Sequence, residues 1–187
     1  MSAARKREIT LVLGGVRSGK SCYAQQLART FASVTFIATA RASDAEMRRK
    51  IAAHRRERPK HWRTVEAPNS LPAVIRREAV NARAIVIDCL TTYLANQMMD
   101  SRHRLREGKT ALTDFGTEEV CNAIQAAKSS VIIVSNEVGS GIVPAFRSGR
   151  IYRDLLGELN KHVARIADSV IFMVAGQPLT IKTGKSK

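Results

Sequence analysis

Two rhythms alternate along the chain: strand-length apolar runs, and longer stretches in which apolar residues recur at helical spacing. The first run, Glu8 to Gly14, enters a glycine-rich turn, and Lys20 to Phe31 then repeats Tyr23, Leu27 and Phe31 on one helical face. Val34 to Ala38 predicts a second strand. A helix over Ser43 to Glu57 follows, opened by the capping-box pair Ser43 and Glu46 and ended by Pro59. Trp62 to Glu66 predicts a short strand and Leu71 to Val80 a helix. Ala84 to Asp88 predicts a strand too apolar for a sheet with one wet face. Helices over Thr91 to Met99, Thr117 to Ala127 and Ser148 to Ala167 complete the helical set. Val131 to Ser135 and Ser169 to Val174 complete the buried strands, with Leu179 to Lys182 a candidate for one more. Ser101 to Gly116 is polar, basic and aperiodic, and reads as a surface excursion. Strands that alternate with helices in this way predict an α/β fold, a mostly parallel sheet flanked by helices, with ligands at the carboxyl ends of the strands. Neither an internal repeat nor a linker interrupts the pattern, so 1–187 reads as a single domain with 1–7 and 183–187 as tails.

Length and cysteine usage change this picture little. A chain of 187 residues buries a sufficient core without disulfides. Cys22, Cys89 and Cys121 form neither an even disulfide set nor a paired metal spacing, and are expected to pack as small, partly buried residues. The longest apolar runs fall far short of the roughly 20 residues that span a bilayer. Met1 to Arg7 leads straight into the first strand without the apolar stretch of a secretory signal, so a cytoplasmic chain is expected.

Charge narrows the partners. The 31 Lys+Arg against 16 Asp+Glu leave a formal net charge of +15, concentrated early: residues 1–60 carry 14 basic and 4 acidic side chains. An anionic partner fits that placement, and so does a solvated basic face. One Trp, three Tyr and five Phe supply few stacking platforms, which argues against a single-strand nucleic-acid binder.

The strongest motif is Gly14-Gly15-Val16-Arg17-Ser18-Gly19-Lys20-Ser21, which satisfies G-x-x-x-x-G-K-[ST] between a predicted strand and a predicted helix. Glycines let the backbone curl until its N–H groups face phosphate oxygens, Lys20 reaches the outer phosphates, and Ser21 is a magnesium ligand. A nucleoside triphosphate is implied. Asp88, ending an apolar strand, stands where a second magnesium ligand belongs, although the same residue would also serve to cap the helix that follows.

Further motifs surround these. They include Phe36-Ile37-Ala38-Thr39-Ala40, Asp44 to Met47 leading to His54 and Arg58-Pro59, Trp62 to Glu66, and Asp88-Cys89-Leu90-Thr91-Thr92 with Asn96. Ser135-Asn136-Glu137-Val138-Gly139, Gly141 to Pro144, Gly149-Arg150, Arg153-Asp154, Gly157, Asn160, Ala175-Gly176 and Pro178-Leu179 follow. In this order, from about residue 9 to about 182, the chain resembles the bifunctional adenosylcobinamide kinase / adenosylcobinamide-phosphate guanylyltransferase family of cobalamin biosynthesis. The resemblance implies a P-loop NTPase with a RecA-like sheet, and a homotrimer. It also implies two reactions on a small-molecule corrinoid: ATP or GTP phosphorylates the aminopropanol hydroxyl of adenosylcobinamide, and GMP is then transferred from GTP through a guanylylated histidine. It nominates His54 as that histidine, with Lys20 and Asp88 as its catalytic companions. Nucleotide contacts carried over by motif are Gly14 to Ser21, Ala38, Thr39, Ala40, Arg55, Arg56, Glu57, Arg58, Glu66 and Asp88, with Ser21 and Asp88 on magnesium. Ser140, Val16 and the basic run from Arg102 to Lys109 depart from the family's usual residues and touch substrate fit more than mechanism.

Taken without the resemblance, His54 reads two ways. It follows Met47 and Ile51 at helical spacing, which gives it the apolar face of its helix and suits a packed histidine. A nucleophile at the α-phosphorus needs cations to hold the triphosphate while pyrophosphate leaves, and Arg55, Arg56 and Arg58 lie beside it. His61, His103 and His162 lack that setting. Asn136-Glu137, after a core strand, either positions a substrate hydroxyl or an ion, or merely turns the chain. Two other readings remain at this stage: a plain P-loop kinase without a covalent intermediate, and a nucleic-acid-stimulated ATPase supported by charge alone.

Overall fold

Along the first strand, Ile9 and Leu11 point to one side and Thr10 and Val12 to the other, and both sides are buried. That two-sided burial requires layers on each face of the sheet. A computed structural model of the chain supplies them, describing residues 6–42, 45–56, 58–101 and 111–184, without the side chains of 46, 50, 112 and 114. The strands are β1 (Ile9–Gly14), β2 (Val34–Ala38), β3 (Arg63–Glu66), β4 (Ala84–Asp88), β5 (Ser130–Val134), β6 (Ser169–Val174) and β7 (Gln177–Lys182). The helices are α1 (Lys20–Ala28), α2 (Ala45–Arg56), α3 (Leu71–Glu78), α4 (Leu90–Asp100), α5 (Thr117–Ala126) and α6 (Arg147–Ile166), with a 3₁₀ turn at Leu112–Phe115. One sheet runs in the order β3-β2-β4-β5-β1-β6-β7, parallel at every junction except β6 with β7.

Ile9, Leu11, Ile37, Ile85, Ile87, Val131 and Ile133 face a layer drawn from α3, α4, α5 and α6, including Leu71, Leu94, Ile124 and Leu156. Val12, Phe36, Val86, Ile132, Val134 and Ile171 face the thinner layer, made by Ala24 and Ala28 of α1 and by Trp62. Parallel register sets the carboxyl ends of the strands side by side. Glu66 pairs with Ala38, Ala38 with Asp88, Asp88 with Val134 and Val134 with Val12. This row is the ledge on which the site is built.

The elements depart from the sequence reading in places with identifiable causes. α1 stops at Ala28 instead of reaching Phe31, because the Thr30 hydroxyl donates to the Leu27 carbonyl (2.8 Å) and gives the backbone another way to end. β7 starts earlier than expected and returns antiparallel, since Ala175 (φ 49°) and Gly176 (φ 80°) form a left-handed two-residue hairpin turn. Its Lys182 Nζ donates to the Ala164 carbonyl (3.0 Å) at the end of α6, where carbonyls lack helical partners. The 101–116 segment is not wholly a surface excursion: residues 102–110 lie outside the described residues, but Phe115 is buried in the main core. Cys22 is exposed, contrary to the packing expected of it, while Cys89 and Cys121 are half-buried; all three are free thiols. No described helix is long and apolar enough to cross a membrane.

Candidate active site at the carboxyl edge of the sheet

β1 delivers Gly14 to the ledge, and the loop to Gly19 reverses into α1 through backbone that β-substituted residues rarely adopt: Gly14 at φ 150°, Arg17 at 58° and Gly19 at 93°. Two tethers fix it. Glu137 N–H donates to the Gly14 carbonyl (3.0 Å) and Gly176 N–H to the Ser18 carbonyl (3.1 Å). The first turn of α1 carries no acidic residue, so the positive end of the helix is left for an anion. Val16 and Arg17 point outward, whereas Lys20 is buried and folds back to donate to the Gly15 carbonyl and to Ser18 Oγ (3.4 Å). Burial lowers the Lys20 pKa, with Cys89 and Asp88 pulling the other way. A Cβ on Gly14 would lie 2.5 Å from the Met173 carbonyl oxygen, so Gly14→Ala is expected to cost about 1–3 kcal/mol. Urea unfolding and nucleotide titration of this variant would show stability and affinity falling together, because strand and cradle share the residue.

Asp88 ends β4, with β5 between it and the phosphate-loop strand. Burial raises its pKa above the ordinary carboxylate range; a hydrogen bond with Ser21 and the charges of His54, Arg58 and Lys20 act in the opposite direction. The capping alternative fails, since Cys89 is the N-cap of α4 and no side chain caps that end. Ser21 and Asp88 in contact suit magnesium, which takes one hydroxyl or carboxylate or two from protein and the rest from phosphates and water. Thr39 is wholly buried and holds the Asp88–Cys89 turn, which contains a cis peptide: its N–H donates to the Asp88 carbonyl (3.1 Å) and its hydroxyl accepts from Cys89 N–H (2.8 Å). Its side chain is committed to holding this turn. Asn96 donates to the Thr39 carbonyl (2.8 Å) and to the Pro68 carbonyl (3.1 Å), joining β2, β3 and α4 behind the ledge. Burial and then Asp88 raise the Cys89 thiol, which keeps it protonated and unreactive.

His54 is exposed, against the apolar placement that its spacing suggests. Among the described side chains of α2 none is buried, and Met47 and Ile51 are only half-buried, so these residues offer no core face for a histidine to join. Its charge nevertheless reaches Asp88, as does that of Arg58, whose guanidinium stacks 3.6 Å above the Phe36 ring. Arg55 and Arg56 are exposed in the last turn of α2, Glu57 lies outside the described residues, and Glu66 is exposed at the end of β3, two strands from Asp88. Ala38 is buried and Ala40 half-buried between them. His61 is elsewhere: it lines a cavity of about 450 Å³ with Val34, Arg63 and Ala82, at the amino ends of the strands. His162 lies near the end of α6, which leads into the amino end of β6, and His103 is outside the described residues. Thr91, Tyr152 and Asn160, which sequence reasoning gave no chemical part, prove to brace the chain after β5, and only their presence among the recurring motifs marked two of them.

The family model for "Cobinamide kinase / cobinamide phosphate guanyltransferase" matches residues 10–181. The chain belongs to this family. The bifunctional adenosylcobalamin biosynthesis protein CobP of Pseudomonas aeruginosa is 42% identical over 174 residues, covering 92% of this chain and 96% of the relative. CobU of Escherichia coli K12, which bears the same description, is 35% identical over 178 residues, covering 92% and 98%. The chain is thus a bifunctional kinase and guanyltransferase of adenosylcobalamin biosynthesis. Solved structures speak to the fold alone. A type III secretion system ATPase aligns with TM-score 0.54 at 10% identity over 92% of this chain. An ATP synthase subunit NeqB from Nanoarcheaum equitans aligns with 0.51 at 11% over 89%. The chain spans 56% and 45% of those two, with which it shares its fold.

Proposed function

We propose that the chain performs both reactions at one nucleotide site, with His54 as the covalent carrier of GMP. The observation that carries this reading is proximity: His54 and Arg58 lie within electrostatic range of Asp88, which is hydrogen-bonded to Ser21 of the phosphate loop. Histidine and phosphate cradle then serve one triphosphate. In the kinase reaction the loop N–H groups and the start of α1 hold the phosphates of ATP or GTP, and Lys20 leaves its internal partners to neutralise charge on the outer ones. Ser21 and Asp88 would hold magnesium, which when bound neutralises phosphate charge during transfer. Ala38, Thr39, Ala40 and Glu66 would meet the nucleoside, and Arg55, Arg56 and Arg58, beside His54 in sequence, would meet the phosphates.

In the second reaction an imidazole nitrogen of His54 attacks the α-phosphorus of GTP. A nitrogen–phosphorus bond forms, the bond to the β-phosphate oxygen breaks, and pyrophosphate leaves with the electron pair. The phosphate of adenosylcobinamide phosphate then attacks the same phosphorus and displaces His54, giving adenosylcobinamide-GDP. Arginines suit the leaving pyrophosphate, since guanidinium pairs with phosphate oxygens in fixed geometry. The enzyme would work in the cytoplasm, which supplies both triphosphates. It would do so as a homotrimer, a state that the exposed Val174, Leu179 and Ile181 of the β6–β7 hairpin would help to cover.

Incubation with magnesium and GTP labelled at the α- or the γ-phosphorus tests the reading on the denatured chain. Acid-labile, base-stable label from the α position alone is expected. GTP binding with no retained label would leave a plain kinase, with no covalent part for His54.

A further inference from the structure

Lys20, Asp88 and His54 leave one requirement of the kinase reaction unmet. An alcohol is a weak nucleophile until its proton has somewhere to go. Asp88 is engaged with Ser21, and the proposed part of His54 lies in the second reaction. A candidate base, Glu137, follows the end of β5, between β1 with its phosphate loop and β4 with Asp88.

Beyond β5 the backbone is fixed from several directions. Ser135 N–H donates to the Val12 carbonyl (3.0 Å), Asn136 N–H to Thr91 Oγ1 of α4 (2.8 Å), and Glu137 N–H to the Gly14 carbonyl (3.0 Å). The Asn136 carbonyl accepts from Asn160 Nδ2 of α6 (3.0 Å), and Tyr152 OH donates to the Thr91 carbonyl (3.1 Å). Thr91 and Asn160 are themselves buried. A surface turn satisfies its backbone with water; this one is held by buried side chains of two helices and by the phosphate loop itself. Glu137 is half-buried as a residue, its carboxylate accepts from Gly139 N–H, and it has no ion-pair partner among the described residues despite the chain's charge of +15.

We propose that Glu137 is the general base of phosphoryl transfer, with Thr91 and Asn160 as its positioning residues, a role that rests on the kinase activity set out above. As the acceptor oxygen bonds to the γ-phosphorus, its proton passes to the Glu137 carboxylate. The bond from that phosphorus to the β-phosphate oxygen breaks, the nucleoside diphosphate leaves with the electron pair, and Glu137 later yields the proton to water. The second reaction needs no such base, because its acceptor is a phosphate oxygen already ionised at neutral pH.

That asymmetry makes the proposal testable in the full-length enzyme. For Glu137→Gln, kcat for phosphorylation of adenosylcobinamide by γ-labelled ATP should fall by about 100-fold or more, with KM for ATP within about threefold. GMP transfer from GTP to preformed adenosylcobinamide phosphate should change by less than about threefold. Gly139→Ala provides an independent approach: its Cβ would lie 2.8 Å from Glu137 Oε1, a side-chain end that can move, so the carboxylate shifts while the fold stays. It should show the same split with a smaller kinase loss. Kinase turnover unchanged in Glu137→Gln would make this a structural turn, and equal loss of both reactions would make Glu137 part of the nucleotide site; either overturns the base. A wild-type enzyme that guanylylates but does not phosphorylate would instead overturn the kinase half of the proposed function.

Discussion

Replacing His54 by alanine should remove the acid-labile GMP adduct and lower guanylyl transfer by about 1,000-fold or more, since no remaining group can form the intermediate. The same variant should fold normally. His54 is exposed on a helix without a buried described side chain, so the change in stability should stay within about 0.5 kcal/mol, or about 2 °C in Tm. Kinase activity should persist, because the phosphate loop, Lys20 and Asp88 are untouched, with a modest change from the loss of a charge acting on Asp88. Parallel assays with α-labelled GTP and γ-labelled ATP, beside a thermal melt, separate these effects. Covalent label surviving at undiminished yield in His54→Ala would move the nucleophile to another residue. Equal loss of both reactions with a lowered Tm would mean that the histidine acts through the fold.

That histidine also marks the limit of pattern reading. The phosphate loop was legible because strand, glycine turn and helix are consecutive in sequence, so that local chemistry and local structure say the same thing. Parallel strands were legible for a similar reason: Ala84–Asp88 and Ser130–Val134 are apolar on both faces, which only a sheet covered on both sides explains. For α2 the same logic misled. Met47, Ile51 and His54 share a face, but the pattern carries no information on whether a neighbouring element arrives to bury it, and here none does among the described residues.

Contacts distant in sequence were the other illegible part. Thr39 with Cys89, Thr91 with Asn136, and Asn160 with Asn136 are side-chain-to-backbone bonds across loops that strand order alone brings together. Nothing in local propensity distinguishes these residues from any polar residue near the end of an element. Family resemblance could flag Thr39, Thr91 and Asn160 as recurring, but only the register of Ala38 with Asp88 and of Asp88 with Val134 explains why they recur. Phe115 was missed for a different reason: one aromatic residue at the end of a basic, aperiodic stretch has no pattern to belong to, yet it fills the core.

Asp88→Asn should make the ligand-free protein more stable while nearly abolishing both activities. Burial holds the Asp88 carboxyl above its ordinary range, more than the Ser21 hydrogen bond and the charges of His54, Arg58 and Lys20 offset. The folded chain therefore keeps this proton at pH values where the unfolded chain has lost it. Its contribution to stability is complete below the unfolded value and disappears as pH rises through the folded one. An amide has no such proton to lose and can keep a hydrogen bond to Ser21. Above the folded value the variant should melt about 2–4 °C higher than wild type in EDTA, and the gap should close as pH falls and the wild-type carboxyl becomes neutral. Magnesium and GTP should reverse the order, raising the wild-type Tm well above that of the variant, because only the carboxylate rewards a bound cation. Kinase and guanylyl transfer should both fall by about 100-fold or more. A variant less stable than wild type at every pH would mean that the carboxylate is structurally satisfied in the free protein, and that Asp88 holds the ledge together instead of waiting, at a cost in stability, for its ligand.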